Sequence, residues 1–133
     1  MRAIHFICRR DGEGHRNLIE NEGSLDKSGN WYITEQDASW ARGGLIFLHL
    51  MKKHPAFYGG FIVDYSKVEI DHKPKSERIQ FEVNPIDNIG KLSVSWNGFY
   101  HQRAHYSGKC TLPLEDQNAL ERHLKSIGAK NIL

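Results

Sequence analysis

The sequence predicts an α+β, β-rich fold, a small curved or barrel-like sheet flanked by one to three helices, one of them C-terminal. Three observations carry this. Short runs of β-branched and aromatic residues bounded by Gly, Pro, Asn or Asp recur along the chain, as strands do. In two of them the apolar residues alternate with polar ones: Ile79, Phe81 and Val83 with Gln80 and Glu82, and Leu92, Val94 and Trp96 with Ser93 and Ser95. That is the period of a strand with one wet face. Helical spacing is clear in one long segment only, near the C-terminus.

Taken in order, MRAIHFICRR reads as a first strand. Its apolar run is short, ends in two arginines and lacks the longer apolar region and cleavage site of a leader. GEGHRN is Gly-rich but without the lysine and Ser/Thr of a phosphate loop, so it reads as a flexible strand exit. A helix is read in HRNLIENEG, a strand in NWYIT, and a short helix in TEQDASWARG, where Thr34 can cap and acidic residues fill the first turn. GGLIFLHL is a strand. YGGFIVDYSKVEI is a longer one, with a bend or bulge expected at Gly59-Gly60. ERIQFEVN and GKLSVSWNG are expected to pair through NPIDNIG, and YSGKCTL is a late strand. The last element spans Leu114 to Ile127: Leu120, Leu124 and Ile127 share a face, Pro113 precedes it and Gly128 follows.

With 133 residues and no linker, repeat or low-complexity stretch, residues 1–133 read as a single domain. At 39% apolar and 26% charged the chain is neither disordered nor fibrous. A net charge of +2 permits a polyanion partner without requiring one. The longest apolar run, LIFLHLM, falls far short of the roughly 20 residues of a membrane span, so no membrane partner is expected. Cys8 and Cys110 have neither CxxC spacing nor a disulfide framework around them. Both read as buried strand thiols, and a reducing cytoplasm is the expected compartment.

Most aromatic residues in such a chain pack the core, an argument that weakens at loop edges. Trp40 precedes Arg42-Gly43-Gly44, and Phe99-Tyr100 follow an Asn-Gly turn and precede His101-Gln102-Arg103. Rings beside cations suit base stacking with phosphate contact. Lys52, Lys53 and His54 lie in a connection just before Pro55 and two aromatics, where binding residues concentrate; Arg42, Arg103 and Lys109 extend the cationic set. His101 and His105, four apart, lack the third ligand of a zinc site. No metal, cofactor or catalytic residue is therefore assigned.

From Trp31 to about Val83, roughly half of the chain, the order of features resembles the PUA-like superfamily of small barrels, which includes the EVE, YTH and ASCH domains. An aromatic strand, NWYIT, is followed by a Trp-bearing helix, EQDASWAR, a Gly turn into GGLIFLHL, a loop, and YGGFIVDYSKVEI. Gly43-Gly44 stands where those families often have Gly-Asp. The resemblance implies a barrel that binds DNA or RNA, often by taking one modified or flipped base into an aromatic pocket. By position it nominates Trp31, Tyr32, Trp40 and Tyr58 for that pocket. The expected function is thus nucleic-acid binding, with Trp31, Tyr32, Trp40, Arg42, Lys52, Lys53, Tyr58, Tyr100 and Arg103 as the contact set. The alternatives are a small hydrolase or nuclease using His101 and His105, and a protein-interaction adaptor.

Overall fold

The computed structural model describes residues 1–69, 77–96, the backbone of 99–100, and 107–128. In chain order the elements are β1 (Arg2–Ile7), β2 (Arg10–Asp11), β3 (Gly14–His15), β4 (Leu18–Ile19), β5 (Asp26–Trp31), α1 (Glu35–Ala41), β6 (Leu45–His49), β7 (Tyr58–Glu69), β8 (Glu77–Pro85), a 3-10 turn (Ile89–Leu92), β9 (Phe99–Tyr100), β10 (Ser107–Thr111) and α2 (Leu114–Ser126). The fold is α+β, built on one eight-stranded sheet in the order β4-β5-β8-β7-β6-β1-β10-β9. β1 pairs with β6 in parallel, and every other pairing is antiparallel.

The expected barrel is corrected: the sheet is open, with β4 and β9 at its edges. Each edge strand is two residues long, too few ladder groups to close a cylinder. β6 is buried along its whole length, as a central strand covered on both faces must be. One face of the sheet packs Ile4, Phe6, Ile46, Leu48, Trp31 and Phe81 beneath Ala38 and Ala41 of α1. The other packs Ala3, Leu45, Phe47 and Phe61 beneath Leu120 and Leu124 of α2 and Ile89 of the 3-10 turn.

α1 forms where its cap predicts: the Asp37 amide donates to Thr34 Oγ1 at 3.1 Å, satisfying a first-turn donor. It stops at Arg42, and Gly43 takes φ +83, a conformation that glycine adopts without steric cost. α2 buries Leu120 and Leu124, but Ile127 is its C-cap and is 39% exposed. The helix ends before a further turn can carry that side chain under the sheet. HRNLIENEG is no helix; it supplies His15 of β3 and all of β4. GEGHRN is the turn and second arm of the β2–β3 hairpin, not a loose exit.

Two further expectations change. Asn88 and Ser93 adopt left-handed backbone conformations, so GKLSVSW leaves the sheet as a 3-10 turn followed by irregular chain; Asn97 and Gly98 lie outside the described residues. ERIQFEVN instead forms β8 between β5 and β7. Val94 is still buried, beneath the opposite face of the sheet, which explains a strand-like pattern without a strand. The bulge in β7 falls between Ile62 and Asp64, past the Gly-Gly pair. Gly60 serves close packing, because a Cβ there would stand 2.6 Å from the Asn84 carbonyl oxygen.

The pairing directions place the C-terminal ends of β1, β4, β6 and β8 and the N-terminal ends of β5 and β7 at one end of the sheet. The candidate site lies at that end. No helix among the described residues is long and apolar enough to cross a membrane.

Candidate nucleic-acid interface

Two turns leave the neighbouring parallel strands side by side. After β1 come Cys8, Arg9 and Arg10; after β6 come Leu50, Met51, Lys52 and Lys53. The Cys8 amide donates to the His49 carbonyl at 2.7 Å, the Arg16 amide to that of Arg9 at 2.9 Å, and the His54 amide to that of Met51 at 3.0 Å. These bonds hold both turns close to the strand ends. Between them lies a groove of about 600 Å³ with Ile7, Leu50 and Met51 as its apolar lining and Arg9, Arg10, Lys52 and Lys53 as its charged lining. No carboxylate among the described residues lines it. Its charged lining consists of guanidinium and ammonium groups, the kind of donor that suits a phosphate.

A second, larger cleft of about 1140 Å³ opens at the same end. Glu20, Glu22, Asp26 and Asp87 line it with Phe57 and Tyr58. Phe57 stacks on His15, with centroids 4.3 Å apart, and His15 pairs with Arg10 of the groove, so the two cavities adjoin. Their charges are opposite, and a phosphate is favoured in the groove alone. In the cleft wall the Tyr58 hydroxyl donates to Asp26 Oδ2 at 2.8 Å, and the Asn21 amide to Oδ1 at 2.9 Å. Burial, then the bond to Asp26 and its charge, push the Tyr58 hydroxyl well above the usual phenol range.

The sequence-nominated residues divide. Lys52 and Lys53 lie in the groove. Tyr58 is at the same end but only 8% exposed, lining the cleft rather than the groove. Trp31 belongs to the core: it stacks on Phe6 at 4.1 Å and its indole N–H donates to Ser28 Oγ at 3.0 Å. Trp40 is half-buried against the α1 face with Lys109 Nζ 5.3 Å from its ring centroid, and Lys109 itself pairs with Asp37 at 2.7 Å. Tyr32 lies beyond the far end of β5 under the Arg78 guanidinium, 4.3 Å from its centroid. Arg42 is also remote: its carbonyl accepts from Arg2 at the start of β1, and its guanidinium reaches Asp64 at 3.5 Å. Of the four residues nominated for the pocket, Trp31 and Tyr58 belong to one core cluster, Trp40 packs against it, and Tyr32 lies beside Arg78. Tyr100 contributes its backbone to β9 opposite Gly108; its side chain, Arg103, His101 and His105 lie outside the described residues.

Sequence reasoning missed Arg9, Arg10, Ile7 and Met51. The Arg-Arg pair was visible, but nothing local shows that it meets Lys52-Lys53. It also missed a polar chain beside the groove. His5 and His49 are both fully buried. His49 Nδ1 lies 2.9 Å from the His54 carbonyl oxygen, His5 Nδ1 2.8 Å from His49 Nε2, and His5 Nε2 3.7 Å from Cys110 Sγ. A carbonyl can only accept, so His49 carries its proton on Nδ1 and accepts at Nε2. His5 then donates from Nδ1 and accepts the Cys110 S–H at Nε2. A thiol, a base and an orienting group in this order suit nucleophilic chemistry, but burial opposes charge separation here. It lowers His5 to about 3 and, with Asp116 nearby, pushes the Cys110 thiol up to about 11. The resting chain is neutral. Among the described residues no three His, Cys, Asp or Glu side chains gather to hold a metal ion. Compared with known proteins, the chain matches no protein-family model, no curated protein and no solved structure.

Proposed function

We propose that this protein is a nucleic-acid-binding module, contacting DNA or RNA through the groove at the ends of β1 and β6. The observation that carries the proposal is the convergence of Arg9, Arg10, Lys52 and Lys53, from two segments far apart in sequence, around an apolar lining in which no carboxylate stands among the described residues. Four cations within one groove supply the counterion-releasing contacts on which backbone binding depends. Ile7, Leu50 and Met51 give sugar or base surface something to bury against. The finer form of the reading, recognition of one modified or flipped base, finds support in half-buried Phe57, a ring beside the groove that lines the adjoining cleft. A PUA-like origin and a cytoplasmic location belong to the same proposal; the free thiols of Cys8 and Cys110 agree with the latter.

The test is fluorescence anisotropy with short single-stranded DNA and RNA pools across a salt series. Binding should weaken steeply with salt, and Lys52→Ser/Lys53→Ser should flatten the logarithmic slope by about 1.4, at about 0.7 per phosphate contact. A parent protein that binds neither pool at low salt, or a double variant with an unchanged slope, overturns the reading and favours a protein partner.

A further inference from the structure

We propose that His49 is the positioning residue of the groove: its side chain ties the turn bearing Lys52 and Lys53 back onto β6, with His5 donating to its other ring nitrogen. This rests on the groove reading only for its consequence for binding; the tie itself is a separate claim.

The chain between His49 and Tyr58 contains no regular element, so its shape depends on individual hydrogen bonds. The His54 amide donates to the Met51 carbonyl at 3.0 Å, closing a turn whose two central residues are Lys52 and Lys53. Further along, the Ala56 amide donates to the Val94 carbonyl at 2.8 Å and the Phe57 amide to that of Leu48 at 3.0 Å. The His54 carbonyl, at the far end of the lysine turn, accepts from His49 Nδ1 at 2.9 Å. One imidazole thus joins the last residue of a fully buried strand to the end of an exposed turn.

That bond requires hydrogen on Nδ1, and a neutral imidazole has only one. The His54 carbonyl, which can only accept, makes the choice, and His5 meets the other ring nitrogen. His5 Nδ1 lies 2.8 Å from His49 Nε2, and two N–H groups cannot face each other at that distance. His5 Nε2 must then accept, and Cys110 Sγ at 3.7 Å is its partner. Phe47 stacks on His5 with centroids 5.2 Å apart, and the Trp96 ring lies 5.3 Å from that of His49, which limits rotation of either imidazole. The order runs in one direction through β10, β1 and β6 to the turn. A residue that touches no ligand thereby fixes where two of the four groove cations stand.

The experiment compares His49→Phe, which keeps a ring without the donor, with His49→Asn, whose amide nitrogen replaces Nδ1. Both remove the acceptor for His5, so their difference isolates the tie to His54. In His49→Phe the amides of Met51 to His54 should exchange with solvent about tenfold faster, and oligonucleotide affinity should fall about tenfold. His49→Asn should return both to within about threefold of the parent. Ring-nitrogen NMR of the parent should show His49 neutral with its proton on Nδ1, whether or not either variant folds. The Nε2–H tautomer, or His49→Phe with parental exchange and affinity, or a folded His49→Asn without rescue, overturns the inference. If the parent binds no oligonucleotide, the functional reading falls, while amide exchange and the tautomer still decide this one.

Discussion

At the scale of single residues, burial governs the chemistry of this chain more than residue type does. His5 and His49 have the side chains of exposed bases, yet both are held neutral: desolvation lowers both, helped at His5 by the charge of His49. The sign of the consequence follows. The unfolded chain binds protons at these sites near pH 6.5 and the folded one only at lower pH, to about 3 for His5, so stability is complete above about 6.5 and declines as pH falls through that window. Each histidine contributes a slope of up to about 1.4 kcal/mol per pH unit. Asp116 is raised by burial and by Glu115, which gives the opposite slope, but it is only partly buried and counts for less. Urea titrations at pH 7 and pH 5 should show the native state weaker at pH 5, and the difference should shrink in His5→Gln. An equal stability at the two pH values would contradict the buried, neutral pair.

Elements form where short-range signals agree with the packing around them. Thr34 caps α1, and β8 alternates buried Ile79, Phe81 and Val83 with half-exposed Gln80 and Glu82, because each signal acts within one turn or one strand. α2 shows where such signals stop. Leu120, Leu124 and Ile127 have equivalent helical spacing, but only the first two reach the lower core, and Ile127 ends the helix at its solvent side. Leu124→Ala should therefore cost about 2–5 kcal/mol through an unfilled cavity, whereas Ile127→Ala should stay within about 0.5 kcal/mol. Chemical denaturation of the two variants measures the contrast, and equal losses would mean that Ile127 is packed after all.

Across the whole molecule, the parallel pairing of β1 with β6 makes the groove, since parallel neighbours deliver their exits to the same end of a sheet. It follows that Arg10 and Lys53 act as one set although they belong to separate segments, while Arg42, bonded beside the start of β1, does not. Arg10→Ser and Lys53→Ser should each reduce the salt slope of oligonucleotide binding by about 0.7, and Arg42→Ser should leave it unchanged. An Arg42 effect as large as that of Arg10 would move the interface to the other end of the sheet.

The sequence by itself determined the β-rich α+β class, five of the strand segments, α1 with its cap, α2 with its buried leucines, and the Lys52-Lys53 half of the groove, while the strand read in NWYIT shares only Asn30 and Trp31 with β5. Periodicity, capping and turn chemistry are local, so a window of a few residues contains them. Only the tertiary structure decided that the sheet is open, that KLSVSW leaves it, that Trp31 and Tyr58 are buried, and that Arg9-Arg10 stand beside Lys52-Lys53. The His5–His49 pair belongs with these, for nothing near either residue names the other. Strand partners and ring burial depend on the hydrophobic effect, which rewards area removed from water without specifying which distant surface removes it. That choice is made by the packing of the whole chain.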